Sequence, residues 1–223
     1  MGVTAPRIAP SILSADLARL GAQVDEVLAA GASVIHFDVM DGHFVPSITV
    51  GPLVLSALRD HVGADVDIDV HLMVERPERQ IADFAKAGAT GITFHAEATP
   101  HVGYTVNLIR EHGCRAGVAV CPATPPGVFG ETSVDLALAM TVNPGWGGQA
   151  YIQGSESKIE RIAALASGAL VEVDGGIDAK TAPGVVAAGA RLLVAGSAVF
   201  NAPDPAAAYT EIAAAAASGL PTP

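Results

Sequence analysis

Eight short runs of β-branched and aliphatic residues alternate with Ala-rich amphipathic runs along this chain, and that alternation restricts its fold more than any other feature. The candidate strands are Arg7–Leu13, Val34–Val39, Val66–Leu72, Gly91–His95, Ala116–Val120, Leu136–Val142, Leu170–Asp174 and Leu192–Ala195. Between them the pattern predicts helices over Asp16–Ala30, Pro77–Ala87, Val106–Glu111, Ser155–Leu165, Thr181–Ala188 and Pro205–Ala217. Ala-Gly-Ala at 30–32, 87–89 and 188–190 reads as a helix stop before the next strand. Regular strand–helix alternation implies a parallel sheet with crossover helices. Eight such units in 223 residues fit one closed (β/α)8 TIM barrel spanning 1–223. The fifth unit is the weakest, because three prolines in Cys121–Pro126 shorten or displace its helix. The tail after Ser218 is expected to fray.

Several of these buried-type strands carry charge. His36 and Asp38 share one face of the second strand, since residues i and i+2 point the same way. His71 ends the third strand and Asp174 the seventh. A carboxylate inside a barrel is costly unless it is paired or bound to metal. Two imidazoles and two carboxylates at strand ends therefore form a candidate four-ligand site for one divalent metal per chain. Two nitrogen and two oxygen donors suit Zn²⁺ first, with Fe²⁺, Mn²⁺ and Co²⁺ admissible. Asp69 shares a strand face with His71 and reads equally as a group orienting an imidazole or as a solvated carboxylate. Asp41 and His43 read as surface-loop residues. Met40 and Met73 stand two residues beyond Asp38 and His71, and Met140 is near the end of the sixth strand. Core packing is the ordinary role of methionine, but above a metal these thioethers would give a dry, polarizable lining.

Glycine-rich loops follow the last three strands: Asn143–Gln149, Asp174–Gly176 and Ala195–Ser197. In this fold the last two strand–helix loops and a short extra helix often bind phosphate through backbone N–H groups. That mode suits a chain whose three lysines, Lys86, Lys158 and Lys180, all fall in helical segments. Trp146, flanked by glycines, reads as a lid residue or as a packed loop anchor. The net charge of −11 argues against nucleic-acid or anionic-membrane partners and provides no long-range pull on an anion. Cys114 and Cys121 have no metal-like spacing and read as reduced thiols. The first residues lack a signal-peptide pattern, and no apolar run is long enough for a bilayer, so a cytoplasmic location is expected. A homo-oligomer is compatible with the sequence.

PSILSAD (10–16), HFDVMDGHFVP (36–46), DVHLMVE (69–75), TFHAEA (93–98), MTVNPGWGGQ (140–149), VDGGI (173–177) and VAGSAVF (194–200) together resemble the ribulose-phosphate 3-epimerase family, in order and nearly end to end. The resemblance implies a (β/α)8 barrel with His36, Asp38, His71 and Asp174 as metal ligands. It implies that Asp38 and Asp174 are also the two acid–base residues. It places Ser11, His71, Met40, Met73 and Met140 beside the substrate. Gly145, Gly147, Gly148, Gly175, Gly176, Gly196 and Ser197 fall in the loops that hold the sugar phosphate. Trp146 departs from the family's usual phenylalanine, Ser47 and Val50 stand where asparagine and phenylalanine are common, and Cys121 replaces a larger polar residue.

The expected activity is reversible, metal-dependent C3 epimerisation of D-ribulose 5-phosphate to D-xylulose 5-phosphate through an enediolate, with a small ketose phosphate as the partner. Alternatives are C3 epimerisation of another ketose phosphate, such as D-allulose 6-phosphate, or a non-catalytic sugar-phosphate-binding barrel. Related barrels that decarboxylate or perform aldol chemistry place a lysine where this chain reads Asp38-Val39-Met40-Asp41. A metallohydrolase would not explain two opposed carboxylates beneath a methionine lining.

Overall fold

In the computed structural model, which describes residues 5–221, the eight strands are β1 (Arg7–Pro10), β2 (Val34–Met40), β3 (Asp67–Met73), β4 (Gly91–His95), β5 (Arg115–Val120), β6 (Leu136–Met140), β7 (Leu170–Asp174) and β8 (Leu192–Ala195). All neighbours pair in parallel, in the order β1-β8-β7-β6-β5-β4-β3-β2. A bridge between Ser11 and His36 joins β1 to β2 and closes the barrel. The helices are α1 (Leu20–Ala29), α2 (Pro52–Val62), α3 (Ile81–Lys86), α4 (Val102–Glu111), α5 (Val128–Glu131), α6 (Glu156–Leu165), α7 (Ala182–Ala187), α8 (Ser197–Phe200) and α9 (Pro205–Ser218).

The period of two sorts each strand into two faces. Ile35, Phe37 and Val39 of β2, Ile68, Val70 and Leu72 of β3, and Ile92 and Phe94 of β4 pack outward into the layer shared with the helices. Each fully buried Phe or Leu there contributes about 1.5–3 kcal/mol of hydrophobic stabilisation. The opposite parity fills the interior. Ala9, Val34, Leu136, Leu192 and Val194 form an apolar plug towards the amino ends of the strands. Above it the interior turns polar, with His36, Asp69, Glu172, Asp38 and His71 all buried.

Helix α2 and the tail differ from the sequence expectation, whereas the short fifth helix agrees with it. Helix α2 was not foreseen; Pro52 opens it without a side-chain N-cap, and Gly63 closes it. The fifth helix is reduced to the single turn α5, as the prolines require. The tail does not fray directly after Ser218, because Leu220 packs on the core and a Cβ on Gly219 would lie 2.3 Å from the Pro183 carbonyl oxygen. Gly31, Gly88 and Gly189 end their helices with φ of +105°, +104° and +113°, in the region glycine favours. No helix among the described residues is long and apolar enough to cross a membrane.

Candidate active site

The β2–β3 register sets Asp38 beside His71, His36 beside Asp69 and Met40 beside Met73. The β6–β7 register sets Met140 beside Asp174. These pairs converge at the carboxyl ends of the strands, where His36, Asp38, His71 and Asp174 offer ligand atoms all within 4.8 Å of one another. His36 Nε2 lies 3.3 Å from Asp38 Oδ1. His71 Nδ1 lies 3.0 Å from Asp38 Oδ1 and 3.6 Å from Asp174 Oδ2. Ligands bound tetrahedrally at about 2.0–2.1 Å stand about 3.3 Å apart, so the donor set has the spacing of a metal site. His36 Nε2 is buried and has no hydrogen-bond partner among the described residues. A lone pair aimed at a bound cation accounts for that atom; a purely structural salt link leaves it unsatisfied. The residues therefore fit one divalent ion.

The two imidazoles present different nitrogens to this point, and each is backed differently. His36 Nδ1 lies 2.9 Å from Asp69 Oδ2 and 3.4 Å from Glu172 Oε1. Asp69 is 1% exposed, which decides between its two readings: it orients His36 from beneath and is not a solvated carboxylate. Glu172, two residues before Asp174 on the same face, was not singled out from the sequence, although the i, i+2 rule that found His36 and Asp38 applies to it equally. Asp41 and His43 lie in the loop after β2, where the Asp41 carboxylate accepts N–H bonds from His43, Phe44 and Glu75.

Electrostatics divide the carboxyls. Burial alone would raise the Asp38 pKa, but His36 and then His71 overcome it and hold Asp38 far below the usual range. Ser11 Oγ adds a 2.5 Å hydrogen bond to Asp38 Oδ2. Burial, followed by the charge of Asp38, raises Asp174 to about 7. Burial, with Asp69 next to it, pushes Glu172 well above the ordinary carboxyl value. Burial opposes a charge on His36, yet Asp38, Asp69 and Glu172 raise its pKa well above the usual value, so a cation binding at Nε2 would displace a proton from this ring. Burial lowers His71 to about 4, so this ring is neutral and able to ligate at pH 7.

Above the four ligands is an open cleft. Its floor holds Ser11, Asp38, Asp174 and the three methionines. Its rim is formed by Gly145–Gly148, Gly175, Gly176, Gly196 and Ser197, and none of its lining residues is lysine or arginine. His36 and His71 are fully buried beneath it. Gly176 has φ of +66°, and a Cβ there would meet the Tyr151 backbone N at 2.4 Å, so only glycine lets the two loops approach. Trp146 is 52% exposed, which fits a lid residue better than a packed anchor. Its loop is braced by Gln149 Nε2 donating to the carbonyls of Asn143 and Trp146 and by Ser47 Oγ donating to the carbonyl of Gly145.

Residues 7–200 match the model of the ribulose-phosphate 3-epimerase family. The chain belongs to the ribulose-phosphate 3-epimerase family. It is 50% identical over 203 residues to the ribulose-phosphate 3-epimerase of Serratia marcescens, covering 88% of this chain and 96% of that one. It is 50% identical over 213 residues to the enzyme of that name from Bacillus subtilis strain 168, covering 92% and 97%. Solved structures share the fold at low identity. KGPDC from Streptococcus mutans superposes with a TM-score of 0.72 at 16% identity, covering 95% of this chain and 97% of the other. Phosphoribosyl anthranilate isomerase from Thermus thermophilus gives 0.71 at 19%, covering 95% and 98%.

Proposed function

We propose that this chain interconverts D-ribulose 5-phosphate and D-xylulose 5-phosphate by inverting C3, with Asp38 and Asp174 as the two proton-transfer groups. The observation that carries this reading is the pair itself: two carboxyls from β2 and β7, three strands apart around the barrel, reach one cleft. The C3 proton is acidic because it lies beside the C2 ketone. One carboxylate removes it from one face, leaving the enediolate, and the other carboxyl returns a proton to the opposite face. Each group contributes roughly 10²–10⁴-fold when positioned. A divalent ion held by His36, Asp38, His71 and Asp174, Zn²⁺ being the first choice, would act as a Lewis acid that stabilises the developing negative charge by several kcal/mol.

The remaining residues position and shield. Ser11 holds Asp38 through its hydroxyl. Met40, Met73 and Met140 keep water from the reacting carbon while offering no competing proton. The phosphate dianion is held by backbone N–H groups around Gly176, Gly196 and Ser197, at the amino end of α8. Gly145, Gly147, Gly148 and Gly175 let the loops close on the sugar, with Trp146 covering it.

Turnover in D₂O tests the assignment. Product should carry deuterium at C3, and Asp38→Asn and Asp174→Asn should each slow epimerisation by at least roughly 10²-fold. A metal-replete Asp174→Asn variant working at close to the wild-type rate would show that Asp174 only ligates.

A further inference from the structure

The TFHAEA segment contributes two polar groups that the reaction above does not use. His95 ends β4, is fully buried, and stacks on His71 with ring centroids 5.0 Å apart. His95 Nε2 lies 2.9 Å from His71 Nε2. On its other side, His95 Nδ1 lies 3.4 Å from Glu97 Oε2 and 3.5 Å from Cys121 Sγ. Parallel register explains the sequence of contacts. His71 pairs with Thr93, and His95, two residues on, keeps the inward face; His95 pairs with Ala119, and Cys121 follows two residues later.

We propose that Glu97 is a positioning residue for the metal centre, acting through His95 to fix the orientation and tautomer of His71. This rests on the four-ligand reading given above. Two imidazole nitrogens in hydrogen-bond contact must share one hydrogen, because two N–H groups or two lone pairs would repel. His71 turns Nδ1 towards Asp38 and Asp174. For that nitrogen to ligate, its lone pair must be free, so the ring proton is on Nε2. His95 Nε2 is then the acceptor, and the ring proton of His95 is on Nδ1. An acceptor is required there, and the Glu97 carboxylate, at ion-pair distance, is the charged group placed to serve as one. That carboxylate is anchored by the Cys121 backbone N–H at 2.7 Å. Burial would favour its neutral form, but bonds from His95, Thr124 and Cys121 lower its pKa to about 2. Cys121 is the weaker acceptor, since burial and then the Glu97 charge push its thiol up to about 12. The two ligand imidazoles are thus both backed by a carboxylate: His36 directly by Asp69, and His71 at one remove by Glu97. The partner of a ligating histidine sets the tautomer, the ring orientation and the basicity of the ligand.

The same order of protons opposes a second cation at His95, Glu97 and Cys121, although these three groups lie close enough to hold one. A cation there would need the Nδ1 lone pair that the chain from His71 leaves protonated, and a thiolate that the site disfavours.

The test is Zn²⁺ affinity by chelator competition, with metal stoichiometry by elemental analysis. Glu97→Gln keeps an oxygen for the Cys121 N–H and so preserves the loop, but removes the charged acceptor. It should bind Zn²⁺ about 10–100-fold more weakly than wild type, the usual effect of losing such a partner. Nitrogen-15 NMR of the zinc-loaded wild type should show His95 protonated at Nδ1 and bare at Nε2, a signature that loop support alone does not produce. Affinity in Glu97→Gln within about threefold of wild type, a His95 proton on Nε2, or two zinc ions per wild-type chain would each overturn the proposal. Wild-type protein that binds no zinc would overturn the four-ligand reading together with it.

Discussion

Asp174→Asn should make the metal-free protein more stable at neutral pH while crippling its catalysis. Asp174 is held at about 7 in the fold against an ordinary 3.8. Its side chain is only 16% exposed, so solvent screens the penalty little. Its folded pKa is raised, so the unfolded chain releases this proton first as pH rises. The group's contribution is therefore fully favourable below pH 3.8, is lost between 3.8 and about 7, and is level above that. About three pKa units at about 1.4 kcal/mol each give a loss of about 4 kcal/mol by pH 8. Asparagine has a similar size and no proton to lose, so the difference between variant and wild type reports this group together with its coupling to Asp38 and His36. In EDTA-treated protein the variant should match wild type within about 1 kcal/mol at pH 4 and exceed it by about 2–4 kcal/mol at pH 8. At about 2–4 °C per kcal/mol for a chain of this size, that is a Tm difference of roughly 5–15 °C. Scanning calorimetry from pH 4 to 8 measures it. Zinc should reverse the order, because wild type keeps all four ligands and gains more from binding. A Tm difference that does not change with pH, or a variant less stable than wild type at pH 8 without metal, would refute the reasoning.

Two shorter predictions concern the ion and the phosphate. His36→Ala and His71→Ala should each lose bound metal and turnover together; elemental analysis returning one metal per chain in either variant would remove that residue from the ligand set. Ser197→Glu brings a negative charge to the amino end of α8 and should raise KM for the ketose phosphate by roughly tenfold or more, about 1.4 kcal/mol. Unchanged KM and kcat in steady-state kinetics would move the phosphate elsewhere.

The order of elements and the parity of charge were legible in the chain itself. Strand side chains alternate with a period of two whatever surrounds them, so His36 and Asp38 had to share a face. Three of the eight strand ranges, Gly91–His95, Leu170–Asp174 and Leu192–Ala195, also match to the residue. Helix α2 was not legible: its Leu- and Val-rich stretch has no side-chain cap, and packing against the barrel decides its conformation. Only the tertiary structure distinguished Asp67 from Asp69. Both are acids on one face of β3, yet Asp67 reaches Arg115 at 3.0 Å near the exposed amino end of the strand, while Asp69 is buried under His36. The same holds for which nitrogen each histidine presents and for the path from His71 through His95 to Glu97. These depend on register between strands more than twenty residues apart, which is set by how the whole barrel closes and leaves no local pattern in the chain.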